Sequence, residues 1–579
     1  MTTRTGCSTR PLFRLSLALG LAGAVACTGQ IGSGGASNPS GGSDHPTTTP
    51  PNGQMGPGPG SMVSSPLTCV PSSSPSVGVE PLRRLNHSQY NNSVRDLLGI
   101  DLAPANDFTP DEKVGPFFSN ASAPISDLVA EEYLDAAEAL SDAVMTNTTK
   151  LSALLPCTTT DATCGAQFID SFGLRAFRRP LTPDEHTTMV TLFASGMTDD
   201  SFNEGVRRVI QAMLESPQFL YRIELGPQPT GAKDVVALDQ YLVAGRLSYY
   251  LWGSMPDAEL FRAAGAGELS SPDALRAQAK RLLADPRAAV TMANFHQQWL
   301  GLDQITSLEK DMTVYPNYSP DLRDAMAAET GAFTDYVIRA GDGKLETLLT
   351  APFSVLTAPL ATLYGATVTA NQDYTKPVNL NPNQRAGLLT EAGVLAVMSH
   401  AEQSSPIRRG KLVREQFFCQ TLSPPPPGVD LTPPAPDPNV SSRQRFEKHR
   451  TQAVCAACHA LIDPIGFGLE NYDGIGAFLT MEAGQPVDSS GTLTGTDVDG
   501  DFHGALELSQ KLSQSAEVRS CVAQKWFNYA FGRTAGPNDG CSLQAASDTF
   551  NKTNNIRDLL VELVATDAFR YGRFEKGAP

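Results

Sequence analysis

From residue 81 onward apolar residues recur every three or four positions, the spacing that gathers them on one face of an α-helix. Tyr90, Val94, Leu97 and Leu98 share such a face in the run Asn86 to Leu98. After Ser126, placed to cap a helix, Leu128, Tyr133, Leu134, Ala137 and Leu140 repeat at helical spacing. Thr182-Pro183-Asp184-Glu185 has the form of a capping box, with a hydroxyl at the N-cap, proline in the first turn and Glu185 able to return a bond to the N-cap amide. Further helical runs cover Phe202 to Leu214, Asp239 to Trp252, Pro272 to Ala284, Asp321 to Val337, Leu388 to Met398, Leu506 to Lys511 and Ile556 to Phe569. Strand-like alternation is scarce, and one short hairpin is expected between Val487 and Phe502. The pattern predicts a mainly α protein with irregular loops.

Two stretches break the pattern. Thr28 to Pro81 is mostly Gly, Ser, Thr and Pro, cannot bury a core, and reads as a flexible tether. Pro424 to Pro427, followed by Pro433, Pro434, Pro436 and Pro438, reads as a stiff connector, either a spacer or an internal strap. Ahead of the tether, Arg4, Arg10 and Arg14 precede an apolar run, Leu15 to Ala26, that ends in Ala24-Val25-Ala26-Cys27. This run is too short to span a bilayer and reads as a lipoprotein-type signal with Cys27 as the lipid anchor. Ala24 replaces the usual leucine, so cleavage without lipidation is the rival reading, and Thr28 favours the outer membrane over the inner one. The protein is therefore expected to be exported, as a periplasmic or cell-surface lipoprotein.

The chemistry is concentrated in Cys455-Ala456-Ala457-Cys458-His459. Cys-x-x-Cys-His is the spacing at which two thiols bond covalently to haem and the adjacent histidine ligates its iron. A dithiol or disulfide pair and half a zinc site are the alternatives. Zinc needs a second ligand pair, and the sequence has no other Cys-x-x-Cys and no His-x(3–5)-His. Of the ten cysteines, Cys7 lies in the signal, Cys27 at its end and two in the motif, which leaves six for disulfides. Proximity pairs Cys157 with Cys164 and Cys521 with Cys541, and exclusion then pairs Cys69 with Cys419. The formal net charge of −17 argues against nucleic-acid binding; its bland meaning is solubility, its sharper one attraction of a basic redox partner. Gly-rich phosphate loops, Gly-x-Ser-x-Gly and His-Glu-x-x-His are absent from the sequence.

Several motifs resemble a known series. Leu82-Arg83-Arg84-Leu85-Asn86 with Tyr90-Asn91-Asn92 and Arg95-Asp96-Leu97-Leu98-Gly99 comes first. Arg175-Ala176-Phe177-Arg178-Arg179-Pro180-Leu181, Arg246-Leu247-Ser248-Tyr249-Tyr250-Leu251-Trp252, Ser405-Pro406-Ile407-Arg408-Arg409-Gly410-Lys411 and Asp463-Pro464-Ile465-Gly466-Phe467-Gly468-Leu469-Glu470-Asn471-Tyr472-Asp473 follow. In this order they resemble large secreted cytochrome c-like proteins built from domains of unknown function, the 1587, 1595, 1592, 1588 and 1585 series. Asn86 stands where that family often has threonine. The resemblance implies secretion, c-type haem and a multi-module helical body with a C-terminal cytochrome c-like haem module, but no substrate. The expected organisation is a signal at 1–27, a tether at 28–80, helical modules at 81–150, 160–228 and 236–365, a haem-binding module at 383–480 and a C-terminal helical module at 485–575.

If His459 is one iron ligand, candidates for the other are Met481, Met398, His400, His449 and His503. Met481 is favoured, because a methionine follows the motif in common cytochromes c. Met398 reads as core, His400 as the end of its helix, His449 and His503 as solvated. Arg408 and Arg409 could pair haem propionates, Arg409 being the chosen cofactor contact, or form a surface pair at a helix start. Asp463 and Asp473 are expected to shape a loop, and Asp497 to Asp501 looks like half a calcium loop without its closing glutamate. The sequence thus supports an electron-transfer protein first, a haem enzyme of peroxidase or oxygenase type second, and a binding or scaffold protein third.

Overall fold

Residues 67–573 are described by the computed structural model, apart from 122–123, 223–233, 369–372, 374, 426–427, 429–430 and 448–452. The signal with Cys27, the tether up to residue 66, Pro426, Pro427 and His449 lie outside the described residues.

The first helix, α1 (His87–Leu98), begins at Asn86, whose side chain accepts from the Gln89 amide while the Gln89 side chain accepts from the Asn86 amide. Asparagine caps as well as threonine, so this departure from the family pattern keeps its physical function. With α2 (Asp127–Thr146), α3 (Ala162–Ala176), α4 (Pro183–Asp199) and α5 (Phe202–Leu214) it closes a first core around Tyr90, Leu140, Phe168, Phe172 and Val209. The Thr182 capping box opens α4 as the sequence predicts.

A second, larger core is built by α6 (Gln240–Leu251), α7 (Pro272–Ala284), α8 (Ala288–Trp299), α9 (Pro320–Asp335), α10 (Pro406–Leu412), α11 (Ala453–Phe467), α12 (Gly504–Gln514), α13 (Ala516–Phe531), α14 (Gly540–Thr553) and α15 (Ile556–Leu563). Buried side chains from all but α10 and α11 share one apolar cluster with Leu412 and Ile465 of those two. The C-terminal helices are therefore packed into the central body: Phe295 of α8 stacks on Trp526 of α13, with ring centroids 3.6 Å apart. The expected hairpin is present as β1 (Ser490–Leu493) against β2 (Gly500–His503), antiparallel, with Ser490 opposite His503.

Two predicted helices are interrupted. Leu388 to Met398 becomes a short turn, Leu388–Thr390, and a helix, Ala392–Val397, because Glu391 takes an extended backbone and its buried carboxylate accepts from the Thr330 hydroxyl. Ile556 to Phe569 breaks at Thr566, which is extended and turns its hydroxyl back onto the Leu563 carbonyl at 2.7 Å.

The disulfides need correction. Cys157–Cys164 forms as expected, but the others are Cys69–Cys541 and Cys419–Cys521. Helices α13 and α14 form a hairpin in which Arg519 reaches Asn551 at 2.9 Å. Cys521 therefore lies level with the far part of α14, roughly 15 Å along the axis from the start of that helix, well beyond disulfide reach. Cys541, at the first turn of α14, instead meets the extended N-terminal segment, and Cys521 meets Cys419 beyond α10. None of the helices among the described residues is long and apolar enough to cross a membrane.

Two carboxyls are buried together in this core. Glu329 accepts from Ser354 Oγ at 2.8 Å and Tyr364 OH at 2.7 Å, and Glu391 lies beside it. Burial pushes Glu329 up to about 7, against an ordinary value of 4.5, and holds Glu391 well above its own. The folded state keeps a proton that the unfolded chain releases, so the stabilisation is complete below pH 4.5 and is lost as pH rises toward 7. Urea unfolding across that window is expected to show stability falling by up to about 1.4 kcal/mol per pH unit for each such group. Glu329→Gln should flatten that slope; an unchanged slope would remove Glu329 as its source.

Candidate functional site

Helix α11 presents Cys455, Cys458 and His459 on one face, since spacings of three and four residues return to the same side of a helix. All three line a cleft of about 470 Å³, within the roughly 300–1,000 Å³ typical of cofactor sites. Cys455 and Cys458 stand outside the three disulfides and are half-buried. His459 Nδ1 lies 2.9 and 3.0 Å from the two carboxylate oxygens of Asp463, one turn further along and fully buried. A carboxylate only accepts, so in the neutral ring this contact fixes the proton on Nδ1 and leaves the lone pair on Nε2, the tautomer that binds a metal. The sequence reading gave Asp463 a loop-shaping part. The i, i+4 spacing from His459 was the available signal for its actual contact.

The neighbouring wall is set by how closely α10 approaches α11. Gly410 faces the Ile462 carbonyl and Gly466 faces the Pro406 carbonyl so tightly that a Cβ would sit 2.1 and 1.8 Å from those oxygens. Glycine at both crossings is what lets the two backbones touch. Pro464 within α11 has no N–H for the preceding turn, and the buried Arg414 Nε donates to the Leu461 carbonyl nearby at 3.1 Å. Past α10 the chain folds over the cleft: Pro424, Pro425, Leu431 and Pro433 line it, and Gln403 Nε2 donates to the Pro434 carbonyl at 2.8 Å. The proline-rich segment is thus an internal wall of the site.

Arg408 and Arg409 have separate places. Arg408 lines the cleft and donates to the Ser399 carbonyl at 2.9 Å, and Lys411 lines the cleft one turn on. Arg409 is 1% exposed and points the other way, into the Leu469, Tyr472 and Asp473 carbonyls, with Glu470 at 3.2 Å. It is not among the described residues lining the cleft, nor is it at the surface. Burial lowers its pKa, and the Glu470 carboxylate opposes that.

The other candidates scatter. Met481 sits on the short strand Met481–Glu482, 52% exposed, and is not among the residues lining the cleft. Met398 packs against the large core beside Gly301, and His503 is exposed at the end of β2. His400 does line the cleft. Burial, with Arg408 and Lys310 close by, pulls its pKa down to about 4, so its imidazole is uncharged at neutral pH. Asp497 accepts from the Ser515 hydroxyl and the Ala516 amide at the start of α13, and Asp499 accepts from the Gly495 and Thr496 amides. Both carboxylates serve chain turns. No group of three or more His, Cys, Asp or Glu side chains is assembled for a metal ion among the described residues.

What remains is a site suited to a cofactor that brings most of its own metal ligands. Two thiols can fasten it, one oriented imidazole can ligate its metal, and Arg408 with Lys411 can meet anionic substituents.

Five family models match the chain in succession, each described as a protein of unknown function: DUF1587 over 83–146, DUF1595 over 164–224, DUF1592 over 238–366, DUF1588 over 385–482 and DUF1585 over 499–569. The chain belongs to the proteins built from these five domains. Within this five-domain chain, the described residues that line the cleft, from His400 to Ile462, all lie in the DUF1588 segment. No curated protein and no solved structure matches the chain.

Proposed function

We propose that the DUF1588 segment is a haem c module and that the protein is an exported electron-transfer protein. The observation that carries this reading is the shared cleft face of Cys455, Cys458 and His459, with Asp463 holding the His459 ring. The model matched over 385–482 is named PSCyt3, a name that points to a cytochrome. Bound haem would supply a one-electron iron couple.

The chain's own residues then divide the work. Cys455 and Cys458 would hold the macrocycle through thioether bonds, and His459 Nε2 would ligate the iron. Asp463 orients the ring and fixes its tautomer. Arg408 and Lys411 would meet the propionates, and the buried Phe446 and Ile462 would give the cofactor an apolar wall. The lipoprotein-type signal ending at Cys27 supports an outer-membrane tether, and three disulfides suit an oxidising compartment. Expressed with haem-maturation machinery, the native chain is expected to stain for haem on a denaturing gel, and the double variant Cys455→Ser, Cys458→Ser to lose the stain. Equal staining of both would place any haem elsewhere.

A haem enzyme of peroxidase or oxygenase type is the second reading, favoured by the Asp463 carboxylate on His459, because a carboxylate-bonded imidazole is a stronger donor to iron. Fast reaction with peroxide by a high-spin ferric protein would select it.

A further inference from the structure

We infer that His400 is the second protein ligand of the iron, so that the haem is held between two imidazoles. The inference rests on the haem reading above and deepens it. Of the five candidates named from the sequence, among those within the described residues the structure brings only His400 to the cleft shared by Cys455, Cys458 and His459. Met481 is exposed on its strand and Met398 is committed to the core beside Gly301.

His400 is also held in a manner suited to a ligand. Lys310, itself buried, donates through Nζ to the His400 carbonyl at 2.9 Å and to the Ala396 carbonyl at 2.9 Å. The His400 amide donates to the Gln403 carbonyl at 2.9 Å, closing a tight turn. On its other side, Ser399 accepts from Arg408 at its carbonyl and from Arg409 at its hydroxyl. The backbone around the ring is thereby held by Lys310 from a loop and by Arg408 and Arg409 from α10, which limits the reorganisation a ligand must undergo when it binds. Two imidazoles on the iron leave no position for peroxide or oxygen, so this assignment favours the electron carrier over the enzyme.

The test is the visible and electron paramagnetic resonance spectrum of the ferric full-length protein, with haem attachment scored separately by gel stain. The native protein is expected to be low-spin and to lack the sulfur-to-iron charge-transfer band of methionine ligation. His400→Ala should keep the covalent haem but turn high-spin and bind cyanide rapidly, with added imidazole restoring the low-spin spectrum. His400→Met should remain low-spin and gain the sulfur band, which guards against mere misfolding, and Met481→Ala should change nothing. A stained His400→Ala protein that stays low-spin, a native protein with the sulfur band, or a high-spin native protein would each overturn the assignment while leaving haem attachment intact. A native protein without stain would instead overturn the haem reading beneath it.

Discussion

Arg409→Met is expected to destabilise the protein by about 3–5 kcal/mol, the range for breaking a buried ion pair from one side. The side chain is almost wholly buried and gives five hydrogen bonds, to the Leu469, Tyr472 and Asp473 carbonyls at 2.8, 2.7 and 2.6 Å, to Ser399 Oγ at 3.1 Å and to Glu470 at 3.2 Å. Its removal takes a donor from three carbonyls, of which those of Leu469 and Asp473 keep the Tyr472 and Gly476 amides, and leaves Glu470, itself 3% exposed at the side chain, without its buried cation and with a hydrogen bond from the Ser404 hydroxyl. Lysine recovers only part of the loss, because one ammonium cannot span the fork of acceptors that guanidinium fills. Denaturant unfolding of Arg409→Met, Arg409→Lys and the double variant Arg409→Met, Glu470→Gln measures this directly. The double variant should recover part of the stability by removing the stranded charge. A single-variant loss below about 1 kcal/mol, as for an exposed pair, would show that the network is not holding the loop after α11.

The second large effect comes from a smaller change. Gly466→Ala places a methyl 1.8 Å from the Pro406 carbonyl oxygen and 2.4 Å from its carbon. The obstacle is backbone, with no side chain to rotate away, so α10 and α11 must separate. The expected cost is about 3 kcal/mol, the upper end for overpacking. The separation displaces Arg408 and His400 relative to His459, so the variant should also lose much of its haem stain per mole of protein. Gly245→Ala is the matched comparison: it lies within α6, and a methyl there meets nothing within 4 Å. It should be neutral or stabilise by up to about 1 kcal/mol. Thermal unfolding of the two variants checks the contrast, and equal effects would mean that the α10–α11 contact is not tight in solution.

The amphipathic helices were legible because their apolar faces and caps are local: Phe202–Leu214 and Pro272–Ala284 lie where the periodicity puts them. Helix breaks at Glu391 and Thr566 were not, since each follows from a side-chain bond that periodicity does not report. The disulfides failed for a related reason. Sequence proximity is a guide where a loop joins a pair seven residues apart, as at Cys157 and Cys164, but helical rise carries Cys521 away from Cys541. In the site, the motif itself was readable, whereas its surroundings depended on which face each helix turns inward. Arg408 and Arg409 are adjacent in sequence, yet one reaches the cleft and the other a buried carbonyl cage. His400 read as a helix end and Met481 as a ligand by its order after the motif, because nothing local reveals that the chain before α10 folds back beside α11.

The proposed function requires an iron porphyrin covalently bound at Cys455 and Cys458. It is tested most directly by weighing, in a mass spectrometer, the proteolytic peptide that contains Cys455-Ala456-Ala457-Cys458-His459 from protein made with haem-maturation machinery. That peptide is expected to be heavier by one haem, with both thiols consumed. A colourless protein yielding the same peptide with two unmodified thiols would contradict it.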